Sequence, residues 1–495
     1  MLIARKRSHQ GSVCFGLSVA FLLLAGVASA TPSITLSRKS GPPTIKVLVS
    51  GSGFNPKVEV DIYFDSKNLT RAMTDGEGGF QNARIDVPRW AHPREHVIKA
   101  VEDKGNAQQL FLVQTDWGQF HRLNMARYNP FENVLNPRNV GNLTLKWSFA
   151  TGGFFNSASP VAADGVVYFG AGDGNVYALD AHTGARLWTY TTGGGIGATP
   201  AVADGVVYVD SSDGNVYALD AHTGTKLWSV LFTDFASSAD LAVEDGVVYV
   251  FTLAILYALD AKTGAELWSY STEVVYAGGA PAVRNRIVYN GVSREMLALD
   301  AESGTLLWSF TNAGYPFFNA AVADGAVYVE SGPIVGFGEQ YIYGLDARNG
   351  SQLWSYDLGG FGPDYAEPAV AKGVVYAQSR PGLYALDAKT GKEFWSYSEN
   401  YNGGTAPAVA NGVVYFASDV AGFALDAKTG SWLWSYVTGK QINASPIVVD
   451  GMLYIASQDQ HLYAFGLPDD KRGEVAPLKR MAHRSEASSH LREEN

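Results

Sequence analysis

The chain has 495 residues, with 54 Gly, 11 Trp, 26 Tyr and 24 Phe, and 17% of it is charged. That length exceeds one ordinary domain, and an apolar share of 46% allows a large core and excludes wholesale disorder. The formal charge of −11 argues against a nucleic-acid partner, and a single cysteine, Cys14, excludes a disulfide framework, a thiolate metal site and a haem-attachment motif.

Residues 1–30 read as a secretory signal. A basic start (Arg5, Lys6, Arg7) precedes an apolar stretch from about Val13 to Val27 and a small-x-small end at Ala28-Ser29-Ala30. An uncleaved anchor is the alternative, but the stretch is short and broken at Ser18 and Gly26. Cleavage would remove Cys14 and take the charge to −14, because Arg5, Lys6 and Arg7 leave with it. No later segment approaches a membrane span, so a secreted product with no span after signal cleavage is expected. Residues 32–115 alternate like strands (KVEVDIYF, HVIKAV, QQLFLVQT) around the turns GSGFNP and DGEGGF. This segment resembles a bacterial immunoglobulin-like β-sandwich of cell-surface proteins. Asp75 and Glu77 read as a plain turn, because the later bidentate Glu of a calcium loop is missing. Residues 116–141 are a linker and lead-in.

From 142 to 467 the chain repeats. Trp147, Trp188, Trp228, Trp268, Trp308, Trp354, Trp395 and Trp434 stand 41, 40, 40, 40, 46, 41 and 39 residues apart. Leu-Asp-Ala-x-x-Gly precedes all but the first, with its Asp at Asp180, Asp220, Asp260, Asp300, Asp346, Asp387 and Asp426. A period near forty marks a propeller blade. Within one unit, Asp204-Gly205, Asp213-Gly214 and Thr223-Gly224 supply three turns, hence four antiparallel strands. Asp220 is placed to accept hydrogen bonds from Thr223 and the turn amides, and Trp228 to wedge between sheets. The last unit, Ser445 to Phe465, lacks its outer strand, and an orphan strand carrying Trp147 stands at the front, Leu143 to Phe149. A ring closed by that strand accounts for both, whereas an open solenoid would not need it. The expectation is an all-β chain with an eight-bladed β-propeller closed by an N-terminal strand. Residues 468–495, with six acids and six bases, read as a disordered tail.

The ALDAxTGxxxW phrase resembles the pyrroloquinoline quinone (PQQ) propeller repeat, over Trp117 to Gly466. The lead-in WGQFHRLNMARYNPFENVLNPRNVGNLTLKW is similar to the segment that opens the propeller of quinoprotein alcohol dehydrogenases. That likeness implies an axial site for PQQ and calcium. The same repeat also builds the propeller lipoprotein of the outer-membrane β-barrel assembly machinery, which implies a scaffold, so the fold does not decide the activity.

The residue six before each inner turn is Ser159, Thr199, Asp240, Ala280, Asn319, Glu367, Ala406 or Ser445. Asp240, Asn319 and Glu367 are the candidate axis-lining set, being the oxygen ligands calcium takes. The alternative is a polar, watered axis with each group satisfied separately. Against an enzyme stand the missing cysteine pair of the resembling dehydrogenases and the short loops, the longest deviation lying around Gly332 to Gln340. His182 and His222 read as surface residues, and Gly193 to Gly197 as a flexible connection between blades. No catalytic residue and no metal ligand is assigned. A non-enzymatic propeller binding a protein or glycan at its face or axis, without cofactor, is the leading expectation. A PQQ- and calcium-dependent alcohol or sugar dehydrogenase is the alternative.

Overall fold

A computed structural model of the chain describes residues 31–119, 126–155, 157–232, 241–272, 279–312, 314–333, 338–359, 366–380, 382–398 and 404–468. The signal segment with Cys14, the tail after Pro468 and Asp240 lie outside the described residues. Strands dominate, and the only helical turn among the described residues is a 3-10 turn at Val140–Asn142. Compactness divides the chain into two units, the first holding residues 48–85 and 97–109 with the segment up to Ser37. In that unit Glu59–Phe64 pairs antiparallel with Lys67–Met73 and with residues 98–101, and Ser33–Leu36 pairs with residues 49–52. Phe54 and Phe80 pack at 5.6 Å on its apolar side. The second unit includes residues 38–47 and 86–96 along with everything from Leu110 onward.

In the second unit the forty-residue period becomes sheet geometry. Ala201–Ala203, Val206–Asp210, Asn215–Asp220 and Lys226–Leu231 form one antiparallel meander. Its inner turn holds Asp204 at φ 50° and Gly205 at φ 77°, the doubly left-handed turn whose twist suits a hairpin. The described residues make eight such four-stranded sheets, counted here from the one carrying Trp188, and one of them gains a fifth short strand from the lead-in. Each complete outer strand bulges by one residue: Ala218 faces Trp228 and Leu219 faces Lys226, leaving Leu227 unopposed. A bulge of this kind re-aims the neighbouring side chains, here the Trp.

The Trp residues lock each sheet to the next. Trp188 donates its indole N–H to the Ala221 carbonyl at 2.9 Å, and Tyr168 donates to the same oxygen at 3.1 Å. This double acceptance recurs at Ala181, Ala261, Ala301, Ala347, Ala388 and Ala427. Burial pushes the Tyr208 phenol up to about 12, so it remains a donor at physiological pH. Every one of these indoles except Trp434 also lies on a third-turn glycine of the following sheet. A Cβ on Gly304, at φ 69°, would stand 2.6 Å from the Trp268 ring, whereas one on Gly246, at φ 77°, would meet nothing within 4 Å. Gly246→Ala is therefore expected to cost about 1 kcal/mol, the backbone share alone, and Gly304→Ala about 2–4 kcal/mol. Equal shifts in the urea midpoint for the two variants would refute the locking role.

The ring closes as the orphan strand predicted. Thr144–Ala150 pairs antiparallel with His461–Gly466, with Thr144 opposite Gly466 and Ala150 opposite His461. Trp147 on that strand reaches the Ala181 carbonyl of the first sheet, and Trp434 of the seventh finds the Leu143 carbonyl at 3.3 Å in place of the absent Ala. The connection at Gly193 to Gly197, read from its glycines as flexible, is tied down. Asp213 accepts from Gly193 N–H at 2.7 Å, Ile196 N–H bonds the Ala171 carbonyl, and the Ile196 side chain is fully buried.

Candidate functional site

The axis is bounded by the eight inner strands, and six of them begin after a proline: Pro160, Pro200, Pro281, Pro368, Pro407 and Pro446. Proline is tolerated there because its missing N–H falls at the start of an edge strand and not inside the ladder. Just before these positions the sequence-identified ring makes bonds from sheet to sheet. Ser445 N–H donates to Ser159 Oγ at 2.9 Å, Ser159 N–H to Thr199 Oγ1 at 3.1 Å, and Ala406 N–H to Ser445 Oγ at 3.0 Å. Asn319 belongs to the same pattern, its Oδ1 accepting Ala280 N–H at 2.6 Å. Glu367 is fully buried ahead of the strand Ala369–Ala371. Among the described residues no group of three or more His, Cys, Asp or Glu could hold a metal ion. Asn319 Oδ1 is engaged by the Ala280 N–H, and Asp240, the third member of the candidate set, lies outside the described residues.

The turn side of the axis is occupied by the chain itself. Trp117 exchanges two backbone bonds with Ala162 of the first sheet, at 2.7 and 2.8 Å. Gly118 accepts from Val202 N–H of the second, and Gln119 Oε1 from Val243 N–H of the third. A Cβ on Gly118 would come within 2.6 Å of the Val202 carbonyl, so the close approach needs glycine. Where description resumes, Ala126 accepts from Val370 N–H of the sixth sheet and Arg127 from Val409 N–H of the seventh, and Asn129 donates to the Val448 carbonyl of the eighth. Arg127 is fully buried, with Nε donating to Pro407 O at 3.0 Å and Nη2 to Pro446 O at 2.9 Å, and its guanidinium lies 5.4 Å from the Trp117 ring centre.

At the seam between the eighth and first sheets the lead-in is clasped by carboxylates. Asp450 Oδ1 accepts from Thr115 N–H at 2.6 Å and from its hydroxyl at 3.1 Å. Burial, reinforced by the nearby Glu132 and Asp116, pushes the Asp450 carboxyl up to about 8. Glu132 accepts from the N–H groups of Val134, Leu135 and Gly451, and burial raises it against those three bonds.

The remaining sequence candidates sit in turns. Asp220 accepts from the Thr223 hydroxyl at 2.8 Å and the Thr223 and His222 amides, which hold its carboxyl below the usual range. Comparable bonds serve Asp180, Asp260, Asp300, Asp387 and Asp426, while Asp346 instead pairs with Arg348 at 2.9 Å. His182 and His222 are exposed, and Asp75 accepts from Gly79 and Glu77 N–H in a local turn. The residues the sequence reasoning missed are Trp117, Arg127, Glu132 and Asp450. Six prolines at matching positions were the available signal, since each offers a carbonyl and no N–H.

A closed ring of Trp-locked, four-stranded sheets, with residues 117–119 and 126–129 bonded to its inner strands, defines a β-propeller of PQQ-type repeats. Residues 138–274, 253–400 and 383–476 match the family described as outer membrane protein assembly factor BamB, and the chain belongs to that family. Among curated proteins it is 41% identical over 70 residues to the quinoprotein alcohol dehydrogenase PedE of Pseudomonas putida, covering 14% of this chain and 11% of that one. It is 35% identical over 101 residues to the quinohemoprotein alcohol dehydrogenase of Comamonas testosteroni, covering 17% and 14%. These matches span under a fifth of either protein. In three dimensions, BamB from Moraxella catarrhalis superposes with a TM-score of 0.57 at 20% identity, covering 66% of this chain and all of that one. A europium-containing methanol dehydrogenase gives 0.60 at 17% identity, covering 71% and 98%. At such identities the likeness is one of fold. Among the described residues no helix is long and apolar enough to cross a membrane.

Proposed function

We propose that the chain is a secreted or cell-envelope binding protein, a non-enzymatic scaffold whose propeller engages a protein or glycan. The observation that carries this reading is the commitment of the inner strands: groups on six of them are bonded to residues 117–119 and 126–129, and the hydroxyl ring bonds sheet to sheet. A site that buries a small cofactor needs a concave, enclosed cavity with convergent free polar groups. The front unit, in this reading, is an immunoglobulin-like spacer or second binding surface. The competing reading, a quinone- and calcium-dependent dehydrogenase of alcohols or sugars, draws on the partial identities to such enzymes.

The purified chain, incubated with quinone and calcium and then desalted, is expected to keep no quinone absorbance and to reduce no dye with alcohols or sugars. Retained quinone together with substrate-dependent dye reduction would replace the scaffold reading with the enzymatic one.

A further inference from the structure

Two stretches of the lead-in meet on the inner turn of the eighth sheet. Thr115 gives its N–H, at 2.6 Å, and its hydroxyl, at 3.1 Å, to Asp450 Oδ1, and its own oxygen accepts the Asp450 N–H at 3.2 Å. From the second stretch, Asn129 donates to the same Thr115 oxygen at 3.2 Å, and Glu132 accepts the Gly451 N–H at 3.0 Å. Glu132 is 3% exposed, and Asp450 is largely buried. The burial of Asp450 is the work of the lead-in. Asp164, Asp204, Asp245 and Asp324 hold the same left-handed turn position in other sheets, at φ 49° to 51°, and all four are exposed.

We propose that this clasp is a pH-sensitive latch, which holds residues 114–116 on the eighth sheet more and more weakly as the pH rises toward mild alkali, while the ring itself stays closed. Lifting these residues returns Asp450 to the exposure its counterparts have. It also opens the seam, because Thr115 and Asp116 line the space between the eighth sheet and the first. The inference does not depend on whether the propeller is a scaffold.

The direction follows from the groups around the carboxyl. Facing Asp450 are Thr115, Asp116 and Glu132 from the lead-in, Asp180 and His182 from the third turn of the first sheet, and Tyr454 from its own sheet. Asp164 of the first sheet donates its N–H to Asp116 at 3.2 Å, His92 and Tyr415 stand near Glu132, and Lys146 of the closing strand flanks Gly466 together with Met452. Carboxylates predominate in this set. The two bonds from Thr115 favour an ionised Asp450, but burial and the charges of Glu132 and Asp116 outweigh them, and the carboxyl keeps its proton up to about 8. Once residues 114–116 lift, the carboxyl meets water and gives the proton up. Opening therefore releases one proton, and its equilibrium constant grows about tenfold per pH unit until about pH 8, above which the closed form is ionised as well and the growth stops.

The test is amide hydrogen exchange in the full ¹⁵N-labelled chain, followed by NMR between about pH 6 and 9 and expressed as protection factors, which remove the intrinsic pH dependence of exchange. The Thr115 and Asp450 amides, which bond each other's side chains, are expected to lose about tenfold protection per pH unit up to about pH 8 and then level off. Amides of Val206–Asp210, inside a ladder, should keep theirs. Asp450→Asn retains an oxygen acceptor and cannot ionise, and the turn accommodates it, since Asn411 holds the same position in the seventh sheet at φ 43°. Its Thr115 protection should not change with pH. Constant protection of Thr115 and Asp450 in the parent, or an equal fall at Thr115 in Asp450→Asn, would overturn the proposal. An equal fall at Val206–Asp210 would also overturn it, because the ring and not the latch would then be opening.

Discussion

Arg127→Ala is expected to destabilise the propeller by about 3–5 kcal/mol, from two buried carbonyls left without their donor and the void left by the side chain. The guanidinium is fully buried and donates to the carbonyls of Pro407 and Pro446, just ahead of adjacent inner strands. Truncation leaves two buried oxygens without these donors, at about 1–3 kcal/mol each, and opens a void beside Trp117, whose ring the guanidinium faces at 5.4 Å. Part of this is returned, because the charge itself no longer has to be desolvated. Arg127→Lys should recover little, since one ammonium on a flexible stem cannot replace the planar fork that reaches two carbonyls. Arg127→Met separates packing from hydrogen bonding by filling the volume without donors. Urea unfolding followed by near-ultraviolet circular dichroism measures all three, and an alanine variant within about 1 kcal/mol of the parent would show that residues 126–129 are not held by this side chain.

The contrast between Trp147 and Arg127 shows what a sequence reveals and what it hides. Trp147, the Asp-Gly turns and the unpaired last unit are legible because each blade repeats them, and a repeat identifies its own missing member. Even the position of the ring at Ser159, Thr199 and Ser445 is legible, because strand register follows from the turn. Its bonding is not, because the donor to each side chain is a backbone N–H of the neighbouring sheet, and backbone groups carry no residue identity. Arg127 and Trp117 belong to no repeat. Their partners lie some 280 residues away in the case of Pro407 and at Ala162 in the first sheet, and nothing periodic links them. Asn319 shows the same limit: its type suggests an oxygen ligand lining the axis, and nothing in the repeat announces that its oxygen accepts the Ala280 N–H across the sheet gap.

Replacing the seven residues Thr144–Ala150 with a Gly-Ser linker of equal length is expected to remove cooperative unfolding of the propeller altogether. The replacement keeps the chain connected, so the loss reports on the strand and not on a broken path. Three contacts disappear together. The pairing with His461–Gly466 loses its side-chain support, the Trp147 indole leaves the Ala181 carbonyl, and Gly184, on which the Trp147 ring lies at a 2.6 Å Cβ approach, loses its cover. Each of these resembles a contact made at other sheet boundaries, and the bonds from Ser445 to Ser159 and from Tyr454 to Ala181 are left to join the eighth sheet to the first. The combined cost of the three lost contacts exceeds the roughly 5 kcal/mol that marks an exceptional single lesion. The freed edge of residues 461–466 is then available to other copies, so concentration-dependent association should accompany the loss. A synthetic peptide spanning residues 143–151, added in excess, should restore part of the lost stability by mass action, because it binds the folded ring and not the unfolded chain. A linker variant that unfolds at the parent's midpoint, with no response to the peptide, would mean that the ring holds without its closing strand.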